Sequence, residues 1–152
     1  MGLDPSYVGF TYPPTPPYRV SREKIREFAN AIGATEAIYL DPAAAGKLGY
    51  PDVITPPTFP IVLAAPCIDA LVADERLGLD FTRVVHGDQR FIYHRPVHAG
   101  DVVECYCTVT DIAERAGAGF LTTTTEIRTV EGELVVTAIS RLVVRADGGT
   151  SA

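Results

Sequence analysis

Thr58-Phe59-Pro60-Ile61-Val62-Leu63-Ala64-Ala65-Pro66-Cys67-Ile68-Asp69-Ala70-Leu71-Val72-Ala73 is almost continuously apolar, with too few polar residues to make an outer face. A helix apolar nearly all round belongs inside a fold. Pro60 suits its first turn, whereas Pro66 removes an interior hydrogen bond and predicts a kink. Downstream, after Gly78, the period changes to two. Val84 to Tyr93, Asp101 to Thr110, Phe120 to Thr129 and Leu134 to Val144 are rich in Val, Ile, Thr, Tyr and Phe and are parted by turn-like Pro96 to Gly100, Ala116 to Gly119 and Glu131-Gly132. Four such strands in succession predict an antiparallel meander.

Upstream, Ser21 is a good N-cap, and Ile25, Phe28, Ala29 and Ile32 recur at helical spacing up to Gly33. Asp41-Pro42-Ala43-Ala44-Ala45 supplies a cap, a proline for the first helical position and good helix formers, so a second short helix is expected before Gly46 and Gly49. Helices first and strands afterwards, with one central apolar helix, predict an α+β fold of a single domain over 18–146, its antiparallel sheet wrapped around that helix. Residues 1–17 carry five prolines and read as an extended lead-in, and 147–152 as a disordered tail.

The chain's 152 residues suit one domain with a sizeable core. Thirteen Lys and Arg against nineteen Asp and Glu leave a net charge of -6, with no basic stripe to follow a phosphate backbone, so nucleic acid is not an expected partner. No apolar run reaches the roughly 20 residues that span a bilayer, and the first residues lack a basic and then apolar leader. A cytoplasmic protein that does not engage a membrane is expected. Cys67, Cys105 and Cys107 have no zinc-like spacing and read as small buried hydrophobes. No P-loop, nucleophile elbow or His-Glu-x-x-His motif is present, and no metal site is expected.

The stretch Ile32-Gly33-Ala34-Thr35-Glu36-Ala37-Ile38-Tyr39-Leu40-Asp41-Pro42 resembles the active-site segment of MaoC-like hydratases and dehydratases. Leu48-Gly49-Tyr50-Pro51, Pro56-Pro57-Thr58-Phe59, His86-Gly87-Asp88-Gln89-Arg90-Phe91, Tyr93-His94-Arg95-Pro96 with Ala99-Gly100-Asp101, and Gly132-Glu133-Leu134-Val135 extend the resemblance from about Tyr18 to Arg145. Their order is similar to the N-terminal, dyad-lacking half of fused enzymes with two hot-dog domains. It is also similar to the non-catalytic subunit of heterodimeric (R)-3-hydroxyacyl-ACP dehydratases. The resemblance implies a hot-dog fold. It places the family's catalytic Asp at Ala34 and its His at Tyr39: a methyl group takes no proton, and a phenol with a pKa near ~10 is a poor general base at neutral pH. The central helix opens with Thr58-Phe59 where active relatives usually carry His-Gly.

The resemblance therefore implies no catalytic residue in this chain, and an acyl-binding role for Tyr39, Thr58, Phe59, His86, Phe91 and Tyr93. Tyr39 reads either as a wall of an acyl channel or, more commonly for an aromatic after Ile38, as plain core. Phe91 and Tyr93 share one strand face, so both point inward or both outward. His86 faces a ligand or partner, or is a satisfied structural histidine; His94 and His98 read as surface or turn residues. Asp41 is most simply a cap, and Glu36 a solvated carboxylate.

The leading expectation is an acyl-binding hot-dog subunit of an (R)-3-hydroxyacyl thioester dehydratase, inactive alone, whose hot-dog partner supplies Asp and His. No cofactor is implied, since CoA or acyl-carrier-protein pantetheine belongs to the substrate. Two rivals stand beside it: a hot-dog thioesterase using Glu36, Asp69 or Asp88, and a non-enzymatic acyl-binding homodimer.

Overall fold

The structure, a computed structural model, describes residues 2–146; the expected disordered tail over 147–152 lies outside the described residues. After a two-residue strand, β1 (Tyr18–Arg19), Ser21 accepts a hydrogen bond from the Lys24 amide and starts α1 (Arg22–Ala31), which buries Ile25 and Ala29. Gly33, at φ 72°, ends that helix in the left-handed region. A single turn, α2 (Ala37–Leu40), then carries Tyr39. Asp41 accepts from the Ala43 amide at 2.9 Å and starts α3 (Pro42–Lys47), with Pro42 in the first turn.

The apolar run forms α4 (Pro60–Ala73), followed by β2 (Val84–Tyr93), β3 (Val102–Arg115), β4 (Ala118–Thr129) and β5 (Leu134–Val144). All pairs are antiparallel, in the order β1-β3-β4-β5-β2. The meander expected from sequence holds only for β3, β4 and β5. β2 lies beside β5, because residues 94–101 cross to the far side of the sheet instead of turning back in a hairpin. That crossing is fixed by buried Val97 and Ala99 and by hydrogen bonds from Thr55 N to Val97 O and from Ala99 N to Val53 O.

The register shifts between His86 and Asp88, Val109 and Asp111, and Ile127 and Arg128. Such bulges bend and twist strands, and the sheet curls around α4 in the hot-dog arrangement. Val103, Cys105, Cys107 and Val109 of β3 and Leu121, Thr123, Thr125 and Ile127 of β4 alternate inward. Between β3 and β4, Ala116 (φ 50°) and Gly117 (φ 78°) make a two-residue turn with both φ positive.

The sequence places α4 inside on all sides, but one five-stranded sheet covers one side only. Pro60, Leu63, Ala64, Cys67 and Leu71 are buried, while Ala65, Pro66, Asp69 and Val72 are exposed. Pro66 lies within the helix without ending it, on the side turned from the sheet.

The proline-rich start of the chain belongs to the same packed unit. Gly9, Tyr12 and Thr15 donate backbone hydrogen bonds to Val109, Cys107 and Cys105 of β3. Tyr7 and Tyr12 donate their hydroxyls to Asp74 Oδ2, at 2.7 and 3.1 Å, just past the end of α4. Tyr12 joins Leu71, Leu77, Val109, Leu121 and Leu142 in a second core cluster. Among the described residues, no helix is long and apolar enough to cross a membrane.

Candidate functional site

An open groove of about 480 Å³ runs between the start of α4 and the β2 strand. Thr58 and Ile61 line it on the helix side, and His86, Asp88, Gln89 and Phe91 on the strand side. Three residues singled out in the sequence, Thr58, His86 and Phe91, thus come together. Gly87 forms the bulge that sets the strand wall. A Cβ there would stand 2.9 Å from Val143 Cγ2, so only glycine lets β2 lie this close to β5. The His86 ring is held across the bulge, its Nε2 donating to Asp88 O at 3.1 Å. Gln89 is fixed by Ser140, whose hydroxyl donates to Oε1 at 2.6 Å.

Tyr93, two residues beyond Phe91 on the same strand face, packs with Tyr39 against the main core. Its hydroxyl donates to Pro57 O at 2.8 Å, next to Thr58 of the groove. Burial pushes the Tyr93 phenol up to about 12. Burial also raises the Tyr39 phenol, with Glu36 adding to the effect. Both phenols stay neutral at ordinary pH and cannot serve as the base that α-proton abstraction requires. Ala34 is half-buried, its amide donating to Ala29 O. Phe59 is fully buried and meets Phe28 edge to face at 5.4 Å, so its ring faces core.

A helix start ordinarily offers free amides to a developing negative charge. Here Pro56, Pro57 and Pro60 have no amide hydrogen, and the Phe59, Ile61 and Val62 amides donate to Pro56 O, Thr58 O and Phe59 O. Those three amides at the mouth of α4 are thus committed to the backbone.

The remaining candidates are dispersed. Glu36 and Asp69 are exposed and away from the groove, while Asp88 lines it. His94 contacts Thr137 Oγ1 at 3.2 Å on the surface. His98 Nδ1 donates to Ala99 O, and its Nε2 lies 3.3 Å from Asp101 Oδ1. Sequence reasoning assigned no role to Arg95, Asp101 and Glu133, which form one network. Arg95 donates to both oxygens of buried Asp101 at 2.9 and 3.0 Å and to Glu133 at 3.0 and 3.1 Å. This network ties the β2–β3 crossing to the β4–β5 turn. Sequence reasoning also missed Ile61 and Gln89 in the groove; periodicity alone does not say which side chains of a helix or strand will face it.

Cys67, Cys105 and Cys107 are all buried in the main core. The Cys105 thiol donates to Leu63 O at 3.2 Å. Hydrogen bonding with Cys105, joined by burial, pushes the Cys67 thiol up to about 12. Such thiols are inert packing groups. Among the described residues, no three His, Cys, Asp or Glu side chains group as metal ligands.

Known proteins sharpen this geometry. The sequence profile described as "FAS1-like, dehydratase domain region" matches residues 6–138. A UPF0336 protein of Saccharopolyspora erythraea is 56% identical over 145 residues, covering 95% of this chain and 93% of its own. One of Thermobifida fusca is 53% identical over 147 residues, covering 97% of each. Among solved structures, the C-terminally truncated HadBC (3R-hydroxyacyl-ACP dehydratase) complex from Mycobacterium tuberculosis contains a chain that is 32% identical at a TM-score of 0.79. The match covers 90% of this chain and 96% of that one. A MaoC-like dehydratase matches at 31% identity and a TM-score of 0.85, over 93% of this chain but only 43% of the other. With the hot-dog sheet, the central helix and a profile match over most of its length, the chain belongs to the FAS1-like dehydratase region family, as a MaoC-like hot-dog domain.

Proposed function

We propose that this protein is the acyl-binding, dyad-lacking subunit of an (R)-3-hydroxyacyl thioester dehydratase, acting in the cytoplasm on fatty-acyl thioesters with a second hot-dog chain that supplies Asp and His. Elimination of water needs a base for the α-proton, an acid for the departing hydroxide and donors at the thioester oxygen. The observation that carries the reading is that the groove has its walls while the positions of the family's acid–base dyad hold residues that cannot do its work. Thr58, His86 and Phe91 line one groove, while the positions matching the family's dyad hold Ala34 and Tyr39. The related HadBC structure is a complex of two chains, which supports pairing.

In this reading Thr58, His86, Phe91, Tyr93 and Tyr39 shape the acyl site, Phe59 backs it from the core, and no metal or organic cofactor takes part. The partner meets the open side of α4 and the free edge of β2, where Val72, Val85 and Ile92 are exposed. Hydration of trans-2-enoyl-CoA, followed by loss of the conjugated absorbance, tests it. The expected outcome is no turnover by the chain alone and turnover once a dyad-bearing hot-dog chain from the same organism is added. Robust turnover by the chain alone would overturn the proposal, and release of free thiol would move the assignment to a thioesterase using Asp88.

A further inference from the structure

Alternation along β2 turns Gln89, Phe91 and Tyr93 to the inner face of the sheet, while Asp88, Arg90 and Ile92 are exposed. Phe91 and Tyr93 pack on the main core there, but Gln89 carries a primary amide. Its register partner on β5 is Ser140, a polar residue between the buried Ala138 and Leu142 of the same face. Ser140 is 8% exposed and donates its hydroxyl to Gln89 Oε1 at 2.6 Å.

That bond satisfies one end of the amide only. The other end, Nε2, has two N–H donors. Among the described residues its one acceptor is Arg90 O at 3.4 Å, longer than an ordinary N–H···O bond. The amide is planar, so holding its oxygen against β5 turns the NH2 away from that strand. Gln89 also lines the groove between α4 and β2, together with the apolar Ile61 and Phe91. The groove therefore holds an oriented donor with an N–H to give. A hydrocarbon chain has no use for one, since methionine would fill the same space. A fixed donor suits a ligand atom that accepts, and in an acyl thioester the acceptors are the carbonyl oxygen and any oxygen on C3.

We infer that Gln89, oriented by Ser140, donates a hydrogen bond to an oxygen at the head of the bound acyl thioester and so fixes where along the groove the acyl chain lies. The inference rests on the acyl-binding reading given above and deepens it. Gln89 is then a specificity residue that holds the ligand's functional end, while Ile61 and Phe91 take its chain.

Titration calorimetry with three ligands of equal chain length tests it, on the full chain alone and paired with a dyad-inactivated hot-dog partner. S-dodecyl-CoA, a thioether, has neither oxygen; dodecanoyl-CoA has the carbonyl, and (R)-3-hydroxydodecanoyl-CoA has both. The native protein is expected to bind the hydroxyacyl ligand about tenfold more tightly than the thioether, the worth of one well-made hydrogen bond. A gain already present with dodecanoyl-CoA assigns the bond to the carbonyl oxygen, and a gain confined to the hydroxyacyl ligand assigns it to the 3-oxygen. Gln89→Met is expected to abolish the gain while leaving the thioether's affinity unchanged. Ser140→Ala, which keeps the donor but frees the amide to turn, is expected to reduce it. Equal affinity of the native protein for all three ligands, or a gain that survives in Gln89→Met, would overturn the inference and leave the acyl-binding reading standing. Binding of none of them, alone or paired, would overturn both. The comparison of ligands on the native protein stands whether or not either variant folds.

Discussion

Gly87 is the residue on which the groove's strand wall depends. A methyl group there would meet Val143 Cγ2 at 2.9 Å and Arg141 O at 3.5 Å. Valine is stiff about χ1 and sits here in a paired strand, so the contact is relieved only by moving β2 outward. Gly87→Ala is therefore expected to cost about 1–3 kcal/mol, the usual penalty for overpacking, read as a lower midpoint in denaturant unfolding. An unchanged midpoint would show that β2 gives way freely and that the bulge does not fix His86 and Asp88. At this scale the sequence is uneven evidence. Ala34 and Tyr39 are legible because they interrupt a motif whose chemistry demands other residues. Phe59 is not legible as core, since a motif position does not say whether its ring turns to the groove or to Phe28.

Elements were legible where a local signal fixes them. Ser21 and Asp41 cap the helices that follow them, and period-two alternation marks β3, β4 and β5. The one-turn α2 has no cap hydrogen bond from a side chain, and the placement of β2 beside β5 depends on the buried crossing of residues 94–101. Neither is written in a short window. The N-terminal segment is a third case: its prolines predict extended chain but not its attachment at Asp74. The hydroxyls of Tyr7 and Tyr12 and the Arg76 amide hold the Asp74 carboxyl below its usual range. A carboxyl whose folded pKa is depressed lends stability that is fully present above its unfolded value, near ~3.9, and is lost as pH falls through the folded value. The native protein should thus melt at a higher temperature than Asp74→Asn at pH 6, with the gap closing as pH falls below about 4. A gap constant down to pH 2.5 would mean that the carboxylate's charge does not hold the segment.

For the whole molecule, the controlling fact is that one sheet cannot enclose an apolar helix. Ala65, Pro66 and Val72 leave α4 largely apolar on its open side, with Asp69 the charged residue among them, and the unpaired edge strand β2 exposes Val85 at 44% and Ile92 at 37%. Scattered apolar residues on a surface are ordinary, but an open apolar helix side in a molecule that also has an unpaired strand edge marks an interface. A stable interface needs roughly 800 Å² from each partner, about a tenth of the 8553 Å² that this chain exposes. The opposite edge lacks that opportunity, because the N-terminal segment already pairs with β3 and its exposed Phe10 meets Tyr7 and Tyr12 edge to face. Association should therefore be one-sided. Val72→Arg, on the open side of α4, is expected to convert the assembly to monomers in sedimentation velocity. Phe10→Arg should leave it intact, and both variants should keep native circular dichroism. A charge at Val72 touches no buried core residue's place, so loss of assembly with retained fold locates the interface on α4 and β2. If Phe10→Arg dissociates the assembly and Val72→Arg does not, the partner sits on the other edge, and the groove between α4 and β2 faces solvent instead of a second hot-dog chain.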